Sequence, residues 1–277
     1  MIIVKPLAGL CNRMRVINSC ISLQNRNSNA GEIQMIWEKN ELLNCDFSDI
    51  FQPIKNIKII RSHPALTHFL HYHNNRTLPL KSRIKKNILY YSLLNYKLYD
   101  NDIILPFRFQ EEYWDTAKHN FVINTYSEFY DSQKFNNYQA FKPVDQLQSL
   151  INSQVKKFTK TTIGVHIRRT DNIESIKKST TKLFINALAD ILEKDSNQLF
   201  YLATDDLEVE NLLRKRFEKY IITQENKDFR RGTKKGIQDA LVDLYTLSRT
   251  KKIIGSYYSS FSWTASFLNR IPMQIIE

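Results

Sequence analysis

An α/β chain organised around parallel sheets is the fold class this sequence predicts, and three observations predict it. From about residue 145 onward, short apolar runs alternate with helical patterns of roughly ten to fifteen residues, the signature of parallel strands joined by right-handed crossovers. The chain has 277 residues, enough for one large domain or two modest ones and for a core that needs no disulfide staples. With 42% apolar and 25% charged residues, it is neither a disordered chain nor a bundle of membrane spans.

The elements follow in order. Ile2–Lys5 reads as a short buried strand, Pro6–Gly9 as a loop and Arg13–Leu23 as a helix. Gln34–Trp37 and Ile57–Ile60 are further strands. The stretch from Ile60 to about Tyr138 is aromatic and irregular, and within it Asn120–Tyr126 alternates as a strand does. A domain boundary is expected near residue 150, giving an N-terminal domain over 1–150 and a C-terminal one over 151–277. Around and beyond it the pattern turns regular: helix Val144–Phe158, strand Thr162–Ile167, then helix Lys182–Leu192 with Leu183, Phe184, Ala187, Leu188 and Ile191 on one face. Strand Leu199–Ala203, helix Leu207–Phe217, strand Tyr220–Ile222 and helix Ile237–Leu247 come next. Strand Lys252–Gly255, helix Phe261–Leu268 and strand Met273–Ile276 complete the chain.

Composition narrows the function. No run approaches the roughly 18 apolar residues of a membrane-spanning helix. The N-terminus MIIVKPLAGLCNRMR lacks the basic, apolar and small-residue regions of a secretion signal. Cys11, Cys20 and Cys45 are odd in number and carry no metal spacing, which points to a reducing compartment, the cytoplasm. His63, His68, His71 and His73 cluster but match no compact metal site, so no metal is expected. Glycine is scarce: the six glycines, at 9, 31, 164, 232, 236 and 255, cannot be arranged as GxGxxG or as a P-loop. Any phosphorylated nucleotide must therefore be held by side chains and helix ends.

Charge is concentrated. Forty Lys and Arg against twenty-eight Asp and Glu give +12. Residues 51–100 hold nine basic residues and one acid, a block of +8 (9 − 1). Its centre, LKSRIKKNILYYSLLNYKLY, reads as an amphipathic helix with a cationic, tyrosine-rich face. Either the face is simply solvated, or residues 76–97 touch an anionic membrane surface or steer an acidic substrate. No nucleic-acid-binding motif accompanies the block, so nucleic acid is not an expected partner.

In an open α/β sheet, ligands sit beyond the carboxyl ends of the strands. Three such places carry chemistry. His166-Ile167-Arg168-Arg169-Thr170-Asp171 ends one strand, and two guanidiniums there suit a diphosphate through bidentate, charge-assisted bonds; a surface basic pair bridged by Asp171 fits the spacing equally. Ala203-Thr204-Asp205-Asp206 ends the next, where paired acids could grip a ribose, a base edge or a metal, or where Asp205 could cap the following helix. Gly255-Ser256-Tyr257-Tyr258-Ser259-Ser260 ends another, where Ser259 or Ser260 would cap a helix whose free amides form an anion site.

GVHIRRTD, YLATDD and DLYTLSRTKKIIGSYYSSFSWTA, in that order over residues 161–277, resemble the α1,6-fucosyltransferases, the core N-glycan and rhizobial nodulation enzymes with their bacterial relatives. Gly9-Leu10-Cys11-Asn12-Arg13 is similar to the GxGNR loop of the wider superfamily, with Cys11 in place of its second glycine. The resemblance implies a GT-B fold, two Rossmann-like domains facing a cleft with the N-terminal one less regular, and an inverting, metal-independent transfer from GDP-fucose without a cofactor. It implies that Arg168 and Arg169 hold the donor diphosphate, that His166 lies beside the nucleoside, and that Asp243 accepts from the guanine edge. Ser260 would contact the β-phosphate, Ser259 the helix start, and Asp205 and Asp206 would shape the site, with Asn12 and Arg13 near the donor. The family's base is a glutamate for which Glu174 is the nearest match, and the chemistry of transfer would equally be served by the Asp171 carboxylate. The acceptor expected is a glycan or glycolipid, such as a bacterial surface-polysaccharide precursor at the inner face of the cytoplasmic membrane. Two alternatives remain at this level: another nucleotide sugar as donor, or a non-catalytic basic adaptor.

Overall fold

The computed structural model describes residues 1–27, 30–60, 79–87, 96–100, 108–130 and 136–277. The chain divides into two compact units, Met1–Lys142 and Pro143–Glu277. The expected boundary near residue 150 falls inside a helix, Asp145–Val155, which belongs to the second unit. Residues up to Lys142 stay with the first: Phe141 packs edge-on against Phe51 at 5.3 Å, and the Lys142 carbonyl accepts from the Gln52 amide.

The first unit is a parallel five-stranded sheet in the order β3-β2-β1-β5-β4. Its strands are β1 (Ile2–Pro6), β2 (Ile33–Ile36), β3 (Ile57–Ile60), β4 (Tyr96–Asp100) and β5 (Asn120–Thr125). Helix α1 (Leu10–Arg26) follows β1. It starts three residues earlier than its apolar pattern suggests, because Gly9 offers its carbonyl to the Arg13 amide and begins the turn there. Helix α2 (Leu80–Asn87) occupies the first part of the segment at the centre of the basic block. The single amphipathic helix expected over residues 80–99 does not form throughout, since Tyr96–Asp100 is strand β4, paired in register with Asn120–Asn124 of β5. The histidine cluster, and residues 61–78 and 88–95 of the block, lie outside the described residues.

The second unit is a parallel sheet in the order β10-β9-β6-β7-β8. Here β6 is Ile163–Ile167, β7 Phe200–Thr204, β8 Ile221–Ile222, β9 Ile253–Ser256 and β10 Met273–Ile276. The helices are α3 (Asp145–Val155), α4 (Ile173–Lys178), α5 (Thr181–Lys194), α6 (Leu207–Phe217), α7 (Lys234–Leu247) and α8 (Ser260–Asn269). Buried on both faces, β6 and β7 read as unbroken apolar runs, as central parallel strands do. Against them pack Phe184 and Leu188 of α5 and Leu213 of α6, all fully buried. Gly164 is required in β6 because a Cβ there would meet Thr250 Oγ1 at 2.7 Å and Leu247 Cδ2 at 2.9 Å. The short helix α4 has no apolar period of its own and escapes a pattern search; it is started by Asn172, whose side chain accepts from the Ser175 amide.

Strand order reverses direction between β6 and β9, the switch point at which a crevice opens beyond the strand ends.

Candidate functional site

At that switch point the ends of β6 and β9 are tied together. The Arg168 amide donates to Ser256 Oγ at 3.0 Å, and Ser256 Oγ donates to the His166 carbonyl at 3.3 Å. His166 Nδ1 lies 2.7 Å from Ser262 Oγ in the first turn of α8, and its ring stacks on Phe261 at 4.6 Å. Gly255 makes this approach feasible, since a Cβ there would sit 2.6 Å from Ser262 Oγ. The start of α8 is thus anchored to the strand that carries the arginines. Burial pushes the His166 imidazole down to about 3, with Arg168 and Lys227 adding repulsion and Asp205 partly opposing. It is neutral at physiological pH.

Beyond β6 the chain delivers charge. Arg168 Nη1 pairs with Asp205 Oδ2 at 2.7 Å, and Arg168 Nη2 bonds Asp171 Oδ1. Asp205 is fixed in turn by the Arg169 amide at 2.7 Å and by Thr170 Oγ1 at 2.6 Å. Burial works against its ionised form, but Arg168 and these donors outweigh it and hold the carboxyl below the ordinary range. A second guanidinium closes the arrangement. Arg231, between β8 and α7, bonds Asp171 Oδ2 at 2.8 Å and lies 3.6 Å from Asp205 Oδ2.

The adjacent arginines therefore part company. Arg169 directs Nε to Thr181 Oγ1 at 3.1 Å, Nη1 to the Arg168 carbonyl at 2.7 Å and Nη2 to the Ser179 carbonyl. Successive side chains of an extended segment project to opposite sides, so one of the pair faces the acids while the other clamps the junction of α4 and α5.

Other expected residues have local employments. Asp206, not Asp205, caps α6, accepting from the Val209 amide at 3.0 Å. Ser259 stands at the N-cap position of α8 but makes no side-chain cap bond, and Ser260 is half-buried on the first turn. Glu174 lies exposed on the first turn of α4. Asn172, which starts that helix, also donates to the Tyr258 carbonyl at 2.8 Å, tying α4 to the loop before α8.

Asp243 sits in a buried cluster that sequence reasoning did not anticipate. Tyr201 Oη donates to it at 2.6 Å and Lys227 Nζ at 3.1 Å. Lys227 also reaches Glu210 Oε2 at 2.9 Å and the Thr204 carbonyl at 3.1 Å. Burial opposes the lysine's charge, yet the two carboxylates prevail and raise its pKa. Burial likewise raises Asp243, which shares one cation with Glu210. The cluster locks the end of β7 to α6 and α7.

In the first unit, Arg13 is fully buried and points inward. Its Nε donates to the Ala8 carbonyl at 2.9 Å and Nη1 to the Glu38 carbonyl at 2.6 Å, with the guanidinium 4.9 Å over Trp37. It braces the loop after β1; Asn12 is half-buried beside it. Lys5 is buried too, paired with Glu38 at 2.9 Å. Among the described residues no group of three or more His, Cys, Asp or Glu is placed to hold a metal ion.

Motif reading missed Arg231, which faces the acids at the end of β6, and Lys227, which holds Asp243 in place. Both follow β8, so the rule that site residues lie beyond strand ends pointed to their segment.

No protein-family model matches the sequence, and no curated protein matches it. Solved structures do. The NodZ α-1,6-fucosyltransferase soaked with GDP-fucose aligns with a TM-score of 0.61 at 16% identity, covering 100% of this chain and 94% of that one. Fucosyltransferase NodZ from Bradyrhizobium gives 0.65 at 16% identity, covering 100% and 95%. A mutant of FUT1 from Arabidopsis thaliana in complex with GDP gives 0.61 at 14% identity, covering 99% of this chain and 69% of that one. Over its whole length the chain thus has the GT-B fold of these fucosyltransferases, two parallel α/β units in sequence.

Proposed function

We propose that this protein is an inverting fucosyltransferase that moves fucose from GDP-fucose to a hydroxyl of a glycan acceptor. The observation that carries the reading is Arg168. It ends β6 at the switch point, and the same strand end is tied through His166 and Ser262 to the first turn of α8. A guanidinium and the free amides of a helix start together suit a pyrophosphate. Support comes also from the neighbours in fold, one soaked with GDP-fucose and one in complex with GDP.

In this reading residues 143–277 hold the donor and residues 1–142 face the acceptor. An acceptor hydroxyl attacks fucose C1 from the side opposite GDP. The new C1–O bond forms as the bond from C1 to the β-phosphate oxygen breaks, and GDP leaves with the electron pair. Asp171 or Glu174 takes the hydroxyl proton. Arg168 and the amides beginning at Ser260 stabilise the charge that develops on the leaving diphosphate, so neither a metal nor a general acid is invoked. His166, neutral and stacked on Phe261, offers an uncharged ring edge beside the nucleoside.

The acceptor proposed is a surface-polysaccharide or glycolipid precursor, met at the cytoplasmic face of a membrane through the basic residues 76–97. Among the described residues no helix is long and apolar enough to cross a membrane. Calorimetry with GDP, UDP and CDP, followed by transfer assays with GDP-fucose and a panel of glycans, tests the reading. Preference for GDP and fucose transfer are the expected results. Preference for UDP would move the donor to another nucleotide sugar, and salt-sensitive binding to anionic vesicles without any nucleotide binding would leave only a basic adaptor.

A further inference from the structure

The second guanidinium in the ring of charges has no place in the motif that ends β6, and its setting is more elaborate than a surface arginine requires. Arg231 and Arg168 grip the same two carboxylates. Arg231 bonds Asp171 Oδ2 at 2.8 Å and Oδ1 at 3.4 Å, while Arg168 reaches the same Oδ1 and pairs with Asp205 at 2.7 Å. Two cations and two anions alternate around one point.

The loop that carries Arg231 is built to hold it there. Asp228 gathers the Arg230 amide at 3.0 Å, Arg230 Nε and Nη2 at 2.9 Å each, and Thr233 Oγ1 at 2.7 Å. The Asp228 amide donates to Asp239 Oδ2 of α7 at 2.7 Å, and Thr233 caps α7 by accepting from the Gly236 amide at 3.0 Å. Gly236 is obligatory because a Cβ there would lie 1.9 Å from the Arg230 carbonyl. Arg230-Arg231 thus repeats the division of labour in Arg168-Arg169. In each adjacent pair one guanidinium binds its own loop and the other faces the acids.

The two carboxylates differ in freedom. Asp205, with its side chain 15% exposed, is held by the Arg169 amide and Thr170. Asp171 is 51% exposed and bonded by the two guanidiniums. With half its surface already in solvent, the Asp171 carboxylate is readily rehydrated on leaving the pair and can be exchanged for another anion, as the more buried Asp205 cannot.

We propose that Arg231 is a second diphosphate-binding residue, and that the donor's diphosphate takes the place of the Asp171 carboxylate between Arg231 and Arg168. This inference rests on the donor reading above but assigns the partner guanidinium to Arg231 rather than to Arg169. It makes an unusual signature: Arg231 and Asp171, although bonded to each other, act on nucleotide affinity in opposite directions. Arg231→Ala loses a phosphate contact, whereas Asp171→Asn removes a competing anion and frees both guanidiniums.

Titration calorimetry on the full chain with GDP, UDP and inorganic pyrophosphate tests it, with circular dichroism confirming that each variant folds. Arg231→Ala is expected to weaken nucleoside-diphosphate binding roughly tenfold or more, for the loss of a bidentate, charge-assisted contact. Arg231→Lys restores part of it, because an ammonium supplies charge without the planar fork. Asp171→Asn tightens binding. Wild-type affinity in Arg231→Ala, or weaker binding in Asp171→Asn, overturns the proposal while leaving the donor reading intact. If the wild type prefers UDP, the guanine assignment fails and the Arg231 test is read with UDP. If the wild type binds none of the three, both readings fall.

Discussion

In each unit an arginine follows the central strand, Arg13 in the first turn of α1 after β1 and Arg168 directly after β6, and the two are used in contrasting ways. After β1, Arg13 is fully buried and donates to two backbone carbonyls, with Lys5 sealed beside it against Glu38. After β6, Arg168 is 18% exposed and answers only to side-chain carboxylates, one of them on a solvent-facing loop. A carbonyl of the main chain cannot step aside for a ligand, whereas an exposed carboxylate can. An arginine that follows the central strand thus braces main-chain carbonyls in one unit and pairs with side-chain carboxylates in the other, the arrangement the proposed anion site requires, and the partners, not the arginine, make the difference.

Variants can break that distinction. The largest effect is expected at Lys227, a cation of the bracing kind in the second unit. Lys227→Met leaves Asp243 and Glu210 buried without a counter-ion and should cost about 3–5 kcal/mol of stability in urea unfolding. Arg168→Ala should slow fucose transfer by roughly 10²–10³, equivalent to about 2.7–4 kcal/mol of barrier, while its melting temperature moves little. Arg13→Ala should do the reverse, losing roughly 2–4 kcal/mol of stability as two carbonyls forfeit charged partners, with nucleotide affinity retained in the folded fraction. If Arg13→Ala instead keeps its stability and loses nucleotide binding, the two strand ends are not different in kind.

A smaller effect sharpens the picture at the site itself. The folded-state pKa of His166 lies near 3, below its ordinary 6.5, so the unfolded chain takes up the proton first as pH falls. The stability it contributes is therefore complete above about pH 6.5 and declines below it. Between about pH 7.5 and pH 5.5 the loss should be about 1.4 kcal/mol. His166→Asn, which keeps a polar atom toward Ser262, should flatten this slope, and an unchanged slope would mean that the imidazole titrates normally in the folded protein. Smallest of all, Asn172→Ala should cost about 1 kcal/mol by removing the cap of α4. Its accompanying sign is easier proteolysis of the loop before α8, which loses the bond at the Tyr258 carbonyl.

Much of the second unit was legible because its central strands are buried on both faces and its longer helices have one apolar face; period and run length then report the structure directly. The first unit was harder. Strand β4 is written in lysine and tyrosine and continues a helical pattern that begins at Leu80, so only pairing with β5 shows that it is a strand. At the site, Arg168 and Asp171 were singled out at one strand end and Asp205 at the next, and the fold pairs Arg168 with both acids. Asp205 and Asp206 exchanged expected tasks although the helix starts at Leu207 as expected: the capping position is the residue directly before it, Asp206, which leaves Asp205 to turn toward Arg168.

By itself the sequence determined where the charge-bearing segments fall: at the ends of apolar runs, since hydrophobic patterning sets strand limits locally and polar residues collect beyond them. Tertiary structure alone decided which guanidiniums share an anion. Arg168 and Arg169 are neighbours in the chain yet face opposite ways, while Arg231, sixty positions from Asp171, lies against it. Direction and long-range proximity depend on how loops from separate strands fold back on one another, and no local pattern of residues encodes that.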